Sequence, residues 1–177
     1  MRIRKLALAA MLAAIIAVIA PLSIPLGPVP FTLQTLIIPL IASLVMPSVS
    51  LSAVTTYLVL GLLGLPVFAG WSSGLGAFVG PTGGYLLGML IFPLIISAGL
   101  KQSRSITRIL MLNISAALLQ LAIGTIWLTF AMQISWYHGI MIGLISFIPL
   151  ALIKAIIVTS LAGAVGRRIS LPIYLRR

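Results

Sequence analysis

One lysine, Lys154, lies inside an otherwise apolar stretch of a 177-residue chain that contains no aspartate and no glutamate. A charge within a membrane-buried helix costs on the order of 3 kcal/mol and normally survives by pairing. The partner here has to be a backbone carbonyl, a hydroxyl, the C-terminal carboxylate, another subunit or an anionic ligand. We favour the ligand, because ionisable groups inside membrane segments are usually functional. The alternative is a structural lysine that extends its stem to the interface or joins two helices through carbonyls.

Residues 70–85 form a glycine-rich segment that is the second candidate for ligand contact. Glycine permits positive φ and a close approach of backbone to a ligand, and non-helical backbone at membrane depth is tolerated where it lines a cavity. The spacing alone is equally consistent with an ordinary outer loop. The candidate contacts in this segment are Gly74, Gly76, Thr82, Gly83, Gly84 and Tyr85.

A third candidate is the proline-rich segment 25–34, which leads into an apolar run. Its prolines stiffen the chain, and Gln34 would supply amide hydrogen bonds near the outer surface, close in sequence to Phe31. Asn113 and Gln120 lie within a later apolar run. Such side chains more often hydrogen-bond between helices than contact a ligand.

The residue types that the chain lacks exclude several kinds of chemistry. Without carboxylates or cysteines, and with His138 as its single histidine, the chain offers no set of metal ligands and no paired-carboxylate site. It also has no phosphate-binding glycine loop ending in Lys-Ser/Thr. We therefore expect no metal, no cofactor and no enzymatic activity, which leaves binding or transport. An acid-free membrane enzyme is the least favoured alternative, since only His138 or a deprotonated Lys154 would serve as its base.

The elements that position these residues are apolar runs. The chain is 62% hydrophobic and 6% charged, whereas about 25% of the residues in a soluble domain are charged. At ~20 residues per crossing, we predict an all-α membrane protein with one domain over residues 1–177, a compact bundle of six transmembrane helices. The last helix is expected to start near Pro149, because proline is tolerated in a first turn. The predicted spans are residues 6–22, 32–46, 51–68, 84–100, 109–132 and 149–166.

All of the 11 lysines and arginines except Lys154 lie at the two ends of the chain or in one loop. The positive-inside bias places these clusters and both termini in the cytoplasm. Their distribution favours contact with anionic membrane lipid or with an acidic partner, and we expect no nucleic-acid partner. The clusters are Arg2, Arg4 and Lys5, then Lys101, Arg104 and Arg108, and finally Arg167, Arg168, Arg176 and Arg177.

Small residues recur every four positions on the first predicted span. Such stripes allow a second helix to approach closely. The spacing does not distinguish packing inside the chain from a face that docks another subunit. The two stripes are Ala9, Ala13 and Ala17, and Ala10 and Ala14.

Several short motifs resemble those of the BioY family, the biotin-specific substrate-binding (S) components of energy-coupling-factor (ECF) transporters. The resemblance covers nearly the whole chain, with the motifs in the same order. A fairly specific one is Gly80-Pro81-Thr82-Gly83-Gly84-Tyr85, and the others are residues 28–35, 60–70, 74–76, 124–128 and 147–149 with Lys154.

This resemblance implies a six-helix capture subunit without catalytic activity, in the plasma (inner) membrane of a prokaryote, with a ligand pocket that faces outward. Members of the family work with a transmembrane coupling (T) subunit and two ATPases, which supply the energy. By the same resemblance, Lys154 is expected to contact the carboxylate of biotin. The alanine stripes of the first span are expected to dock the coupling subunit.

One position departs from the family's Pro-Gly-Asp-x-x-Lys pattern, because Ala151 stands where an aspartate is usual. Neutral partners for the ureido N–H groups would cost about 1–3 kcal/mol, or roughly 5- to 150-fold in affinity, unless Gln34, Gln120 or backbone carbonyls compensate. Two alternatives to biotin capture therefore stay open. One is the same architecture with another small carboxylate, such as a biotin precursor or a lipoate-like molecule, and the other is a structural or assembly subunit that binds no ligand.

Overall fold

The computed structural model describes residues 2–25 and 27–168. Within these residues the fold is helical apart from one small hairpin. The predicted C-terminal cations Arg176 and Arg177 lie outside the described residues. Short 3₁₀ turns occur at Ala69–Trp71 and Ile145–Phe147, and a π-helical stretch at Pro93–Ser97. The main elements are α1 (Arg2–Ile19), β1 (Ser23–Ile24), β2 (Phe31–Thr32), α2 (Gln34–Leu44), α3 (Pro47–Leu62), α4 (Leu75–Val79), α5 (Gly83–Gly88), α6 (Ile106–Met132), α7 (Trp136–Gly143) and α8 (Ile148–Arg168).

The ends of the helices follow from local capping chemistry. α3 starts at Pro47, in a helical position where a missing N–H has no intrahelical partner to lose. Gly64, with a φ of 102°, turns the chain away after α3 ends. α6 follows Ser105, whose Oγ accepts a hydrogen bond of 3.2 Å from the backbone N–H three residues later. α8 begins at Ile148, so that Pro149 lies in its first turn.

The helices lie in the predicted apolar runs, but several boundaries differ. α3 begins and ends earlier than the predicted span 51–68. The predicted span 84–100 contains α5 and then the π-helical stretch, which starts at Pro93 because this residue has no N–H to donate. In the described part of the chain, Ile106–Met132 and Trp136–Gly166 are long and apolar enough to cross a membrane, and the other apolar helices are shorter. The number of spans stays a prediction.

Helix packing brings α2, α6 and α8 together. α1 packs mainly against α3, α5 against α6, and α8 against both α2 and α6. The largest buried side chains, which include Tyr57, Phe68 and Phe92, fill the core beside α2 and α3. α5 approaches α6 closely because Gly124 has no side chain, and a Cβ at that position would overlap the ring of Tyr85. The resulting arrangement encloses a space between the start of α2 and the middle of α6.

Candidate functional site

Lys154 is buried in the second turn of α8, with 8% of its surface exposed. Its Nζ donates to the backbone carbonyl of Thr32 at 2.6 Å and to Oγ1 of Thr35 at 2.5 Å. The same ammonium lies 4.0 Å from the ring centroid of Phe31, where the π face of the ring attracts a cation. These partners are all neutral, so the positive charge is hydrogen-bonded but not cancelled.

The hairpin and the start of α2 supply the acceptors for this lysine. β1 and β2 pair with Ser23 opposite Thr32 and Ile24 opposite Phe31, and α2 begins two residues after β2. The first turn of α2 carries the positive end of its helix dipole, and Leu33 at its N-cap has no capping side chain. A cation gains nothing from that dipole, whereas an anion is stabilised by the dipole and by the ammonium. The electrostatics of this corner therefore favour an anionic ligand.

A cavity of about 170 Å³ lies beside this corner, with Lys154 on its wall. Most of its lining is apolar, and Lys154 is the only charged side chain among the described residues that line it. Small-molecule sites are typically apolar enclosures of this kind with a few placed polar groups. The other polar residues of the lining are Thr32, Gln34, Thr35, Ser72, Thr82, Tyr85, Asn113 and Gln120.

The fold brings some of the residues singled out from the sequence together in this cavity and leaves others outside it. Those that line the cavity come from β2, α2, α5, α8 and the segment just before α5. They are Phe31, Gln34, Thr82, Tyr85 and Lys154. The predicted contacts that do not line it are Gly74, Gly76, Gly83 and Gly84.

These four glycines meet other parts of the chain or solvent. A Cβ on Gly83 or on Gly84 would overlap atoms of neighbouring segments, so both positions serve close packing within the protein. The N–H of Gly74 donates to the carbonyl of Gly61 at 2.7 Å, in a conformation with a φ of 77° that favours glycine. Gly76 is exposed on α4. At Gly74, Gly83 and Gly84, the close backbone approach that the sequence predicts for a ligand is thus made between segments of the chain.

Gln34 and Tyr85 line the cavity with polar groups that already have partners. Nε2 of Gln34 donates to the Tyr57 hydroxyl at 2.5 Å, and its Oε1 accepts from Oγ1 of Thr32 at 3.3 Å. The hydroxyl of Tyr85 donates to the carbonyl of Gly143 at 2.9 Å. Hydrogen bonds of this kind hold both side chains in place.

Five polar residues of the lining are not among the contacts predicted from the sequence, namely Thr32, Thr35, Ser72, Asn113 and Gln120. Thr35 is not among the residues predicted from the sequence. A signal was present, because Pro39, four residues later in α2, has no N–H and leaves the backbone carbonyl of Thr35 without its helical partner. Asn113 and Gln120 were assigned to bonding between helices. Gln120 does make such a bond, since its Nε2 donates to the carbonyl of Tyr85 at 3.1 Å, but both residues also line the cavity. Their separation of seven residues, which places them on one face of α6, was the available signal.

The alanine stripes of α1 divide between two faces of the helix. Ala9 and Ala13 are buried in the core, with 3% and 1% of their surface exposed, so their methyl groups pack inside the chain. Ala17 is half-buried, whereas Ala10 and Ala14 are exposed. Only the second stripe is therefore fully available to a partner.

Known proteins with similar sequences are biotin transporters. Residues 1–171 match the BioY family. The chain is 43% identical over 170 residues to the biotin transporter BioY2 of Lactococcus lactis subsp. cremoris, a match that covers 96% of this chain and 93% of that protein. It is 36% identical over 159 residues to the biotin transporter BioY of Thermotoga maritima, which covers 90% of this chain and 94% of that protein.

The fold also matches a solved structure. A crystal structure of the S-component for biotin from an ECF-type ABC transporter superposes with a TM-score of 0.87 at 29% sequence identity. The match covers 99% of this chain and 97% of that one, so it includes nearly all of the elements that surround the cavity. This chain is a membrane protein and belongs to the BioY family.

Proposed function

We propose that this chain captures biotin at the outer side of a prokaryotic plasma membrane, as the substrate-specific subunit of an ECF-type transporter. Its relatives are named biotin transporters, and its fold matches a biotin S-component. The observation that carries the proposal is Lys154, a buried cation on the wall of a cavity whose other described lining residues are uncharged.

In this proposal Lys154 binds the carboxylate of biotin. An ammonium has three N–H donors, and two of them are used on Thr32 and Thr35. The third is free to meet an anion, with the two neutral acceptors orienting the group. Charge-assisted N–H···O⁻ bonds are about twice as strong as neutral ones, which supports a carboxylate as the ligand group at this position.

Ala151 sharpens the selection for anions. It lines the cavity one helical turn before Lys154, where an aspartate would be close enough to pair with the ammonium. With alanine at this position, the empty site keeps its positive charge, and a neutral ligand leaves that charge uncompensated. We expect biotin methyl ester to bind at least ~10-fold more weakly than biotin.

The proposal includes six spans with both termini in the cytoplasm, because this topology keeps the basic clusters on one side. Arg4 and Lys5 are exposed on α1, and Lys101 is exposed in the loop before α6, where anionic lipid headgroups would meet them. The energy for transport would come from a transmembrane coupling subunit and two ATPases, since the chain has no nucleotide-binding loop. Ala10 and Ala14 form the proposed docking face for the coupling subunit.

A second candidate ligand is another small carboxylate, such as a biotin precursor or a lipoate-like molecule. The observation that favours it is Ala151, which removes a strong acceptor for ureido N–H groups while Lys154 keeps its role toward a carboxylate. A structural subunit without a ligand is the remaining alternative. It predicts no saturable binding and no loss of function in Lys154→Ala.

Equilibrium binding of labelled biotin to the purified protein, with Lys154→Ala beside the wild type, tests the proposal. We expect saturable binding that the variant loses, and weaker competition by desthiobiotin and lipoate than by unlabelled biotin. Lys101→Ala, at an exposed lysine outside the cavity, should bind like the wild type. A folded wild-type protein that binds no biotin contradicts the proposal, and stronger competition by desthiobiotin or lipoate favours the second candidate.

A further inference from the structure

Asn113 lines the cavity from a different helix than Lys154. It is on α6, has 1% of its surface exposed, and lines the cavity together with Gln120. Seven residues separate the two along α6, so they share one helix face about 10 Å apart. Asn113 is the one nearer to the start of α6.

The orientation of the Asn113 amide is fixed by its nitrogen. Nδ2 donates to the carbonyl of Ile109 at 2.8 Å and to Oγ of Ser43 at 3.1 Å. A carbonyl oxygen only accepts, and the Ser43 hydroxyl uses its own hydrogen on the carbonyl of Pro39 at 2.8 Å. Both amide hydrogens are thereby used, and the nitrogen cannot exchange places with the oxygen.

The amide oxygen on the other side of Asn113 has no partner among the described residues. Oδ1 is buried and accepts no hydrogen bond from them. A buried acceptor without a donor is unfavourable, and native proteins rarely keep one. Because Asn113 borders the cavity, a small shift of its side chain would let a donor on a bound molecule supply the missing hydrogen bond.

The contacts that hold Lys154 and Asn113 are separated along α2. Thr35, which holds Lys154, and Ser43, which holds Asn113, are eight residues apart on this helix, or roughly 12 Å at 1.5 Å per residue. Apolar side chains such as Met89 line the cavity as well. The cavity is thus suited to a molecule with a carboxylate at one end, an apolar middle and an N–H donor at the other end.

We propose that Oδ1 of Asn113 accepts a hydrogen bond from a ureido N–H of biotin on the α6 side of the cavity. This assignment rests on the proposed function, because it requires that biotin enters with its carboxylate on Lys154. The ureido ring and the carboxylate lie at opposite ends of biotin, as the separation of Asn113 from Lys154 requires. Asn113 then supplies a neutral acceptor in a chain that has no aspartate at position 151.

A thermodynamic cycle between protein and ligand tests the assignment. Biotin and two analogues, each N-methylated at one ureido nitrogen, are titrated into wild-type protein and into Asn113→Leu, which fills a similar volume but offers no acceptor. We expect the wild type to bind one of the analogues roughly 5- to 150-fold more weakly than biotin. Asn113→Leu should bind biotin more weakly by a similar factor. It should then discriminate little between biotin and that analogue, since the two changes remove the same contact.

Additive losses in the cycle would overturn the assignment, as would wild-type protein that binds both analogues as tightly as biotin. The second result requires no variant, so it decides the question even where Asn113→Leu fails to fold. Ser50→Ala is the matched control, because Ser50 is also buried with an unpartnered oxygen but does not line the cavity. It should retain the wild-type discrimination. Wild-type protein that binds no biotin overturns the proposed function as well, whereas tight binding with an additive cycle overturns only the role of Asn113.

Discussion

Replacing Lys154 with methionine should separate the stability of the fold from its capacity to bind biotin. Removal of a buried ammonium relieves an insertion cost on the order of 3 kcal/mol. It also takes a donor from the Thr32 carbonyl and the Thr35 hydroxyl, at a cost of about 1–3 kcal/mol, and removes the attraction to the Phe31 ring, about 1–2 kcal/mol. Since these contributions nearly cancel, the thermal unfolding midpoint should change little.

The affinity for biotin should respond much more strongly than the stability. In the proposed complex the ligand carboxylate faces Lys154, the only charged side chain among the described residues of the cavity lining. Removing one member of a buried charge pair costs about 3–5 kcal/mol, which is roughly a 100- to 4,000-fold increase in the dissociation constant. Biotin methyl ester carries no charge, so the wild type and the variant should bind it with similar affinity.

Titration with labelled biotin and thermal unfolding followed by tryptophan fluorescence measure both quantities on one preparation. Lys101→Met is the matched control, because Lys101 is exposed and lies outside the cavity. A folded Lys154→Met protein that binds biotin within about threefold of the wild type contradicts the assignment of this residue. So does a loss of affinity that the methyl ester shares in full, because such a loss reports a change in the shape of the cavity.

Three further predictions test other parts of the structure. Ala151→Asp places a carboxylate one helical turn from the buried Lys154. We expect a higher unfolding midpoint and a smaller preference for biotin over its methyl ester. An unchanged preference would show that the two side chains do not interact. Gly124→Ala places a methyl group against the ring of Tyr85 and should lower the stability of the fold by about 1–3 kcal/mol. At Gly166 a methyl group meets nothing within 4 Å, so Gly166→Ala should stabilise its helix by up to about 1 kcal/mol. Thermal unfolding should therefore show a lower midpoint for the first variant and a higher one for the second. Ala14→Leu, on the exposed face of α1, should leave biotin affinity unchanged and reduce co-purification of the coupling subunit, and a loss of biotin affinity would count against a docking role.

The all-α membrane fold and the resemblance to the BioY family were predictable and are confirmed. Apolar runs bounded by proline, glycine and basic residues locate the helices because these features carry strong local preferences. Breaks inside an apolar run are less visible. The π-helical stretch after Pro93 and the 3₁₀ turn Ile145–Phe147 interrupt stretches that are apolar throughout, and hydrophobic periodicity contains no signal for a change of helix type within such a stretch.

The sequence predicted the candidate site well at a residue type with few possible roles, such as a lysine in an apolar run. It predicted the site poorly at glycine, which is compatible with many roles. A lone lysine in an apolar run has few explanations, and Lys154 does line the cavity. Glycine allows any close approach, so Gly84 was assigned to a ligand although it packs between segments of the chain. The position of Asn113 on the cavity wall depends on how α6 is rotated against α2, which is a tertiary property that the spacing of polar residues does not determine.

Because the chain has no acidic side chains, the same buried charge on Lys154 affects both the selectivity of the site for anions and the stability of the protein. Lys154 is oriented by neutral acceptors, so the empty site is the charged state and a site loaded with a monoanion is the neutral one. Binding therefore removes an unpaired charge from the interior, and biotin at 100 times its dissociation constant should stabilise the fold by about 2.7 kcal/mol. A simple aliphatic carboxylate such as octanoate satisfies the lysine but offers no donor to Asn113. In the proposed complex, Lys154 would select for the charge of the ligand and Asn113 for its identity, so that a chain without any aspartate would discriminate biotin from other anions.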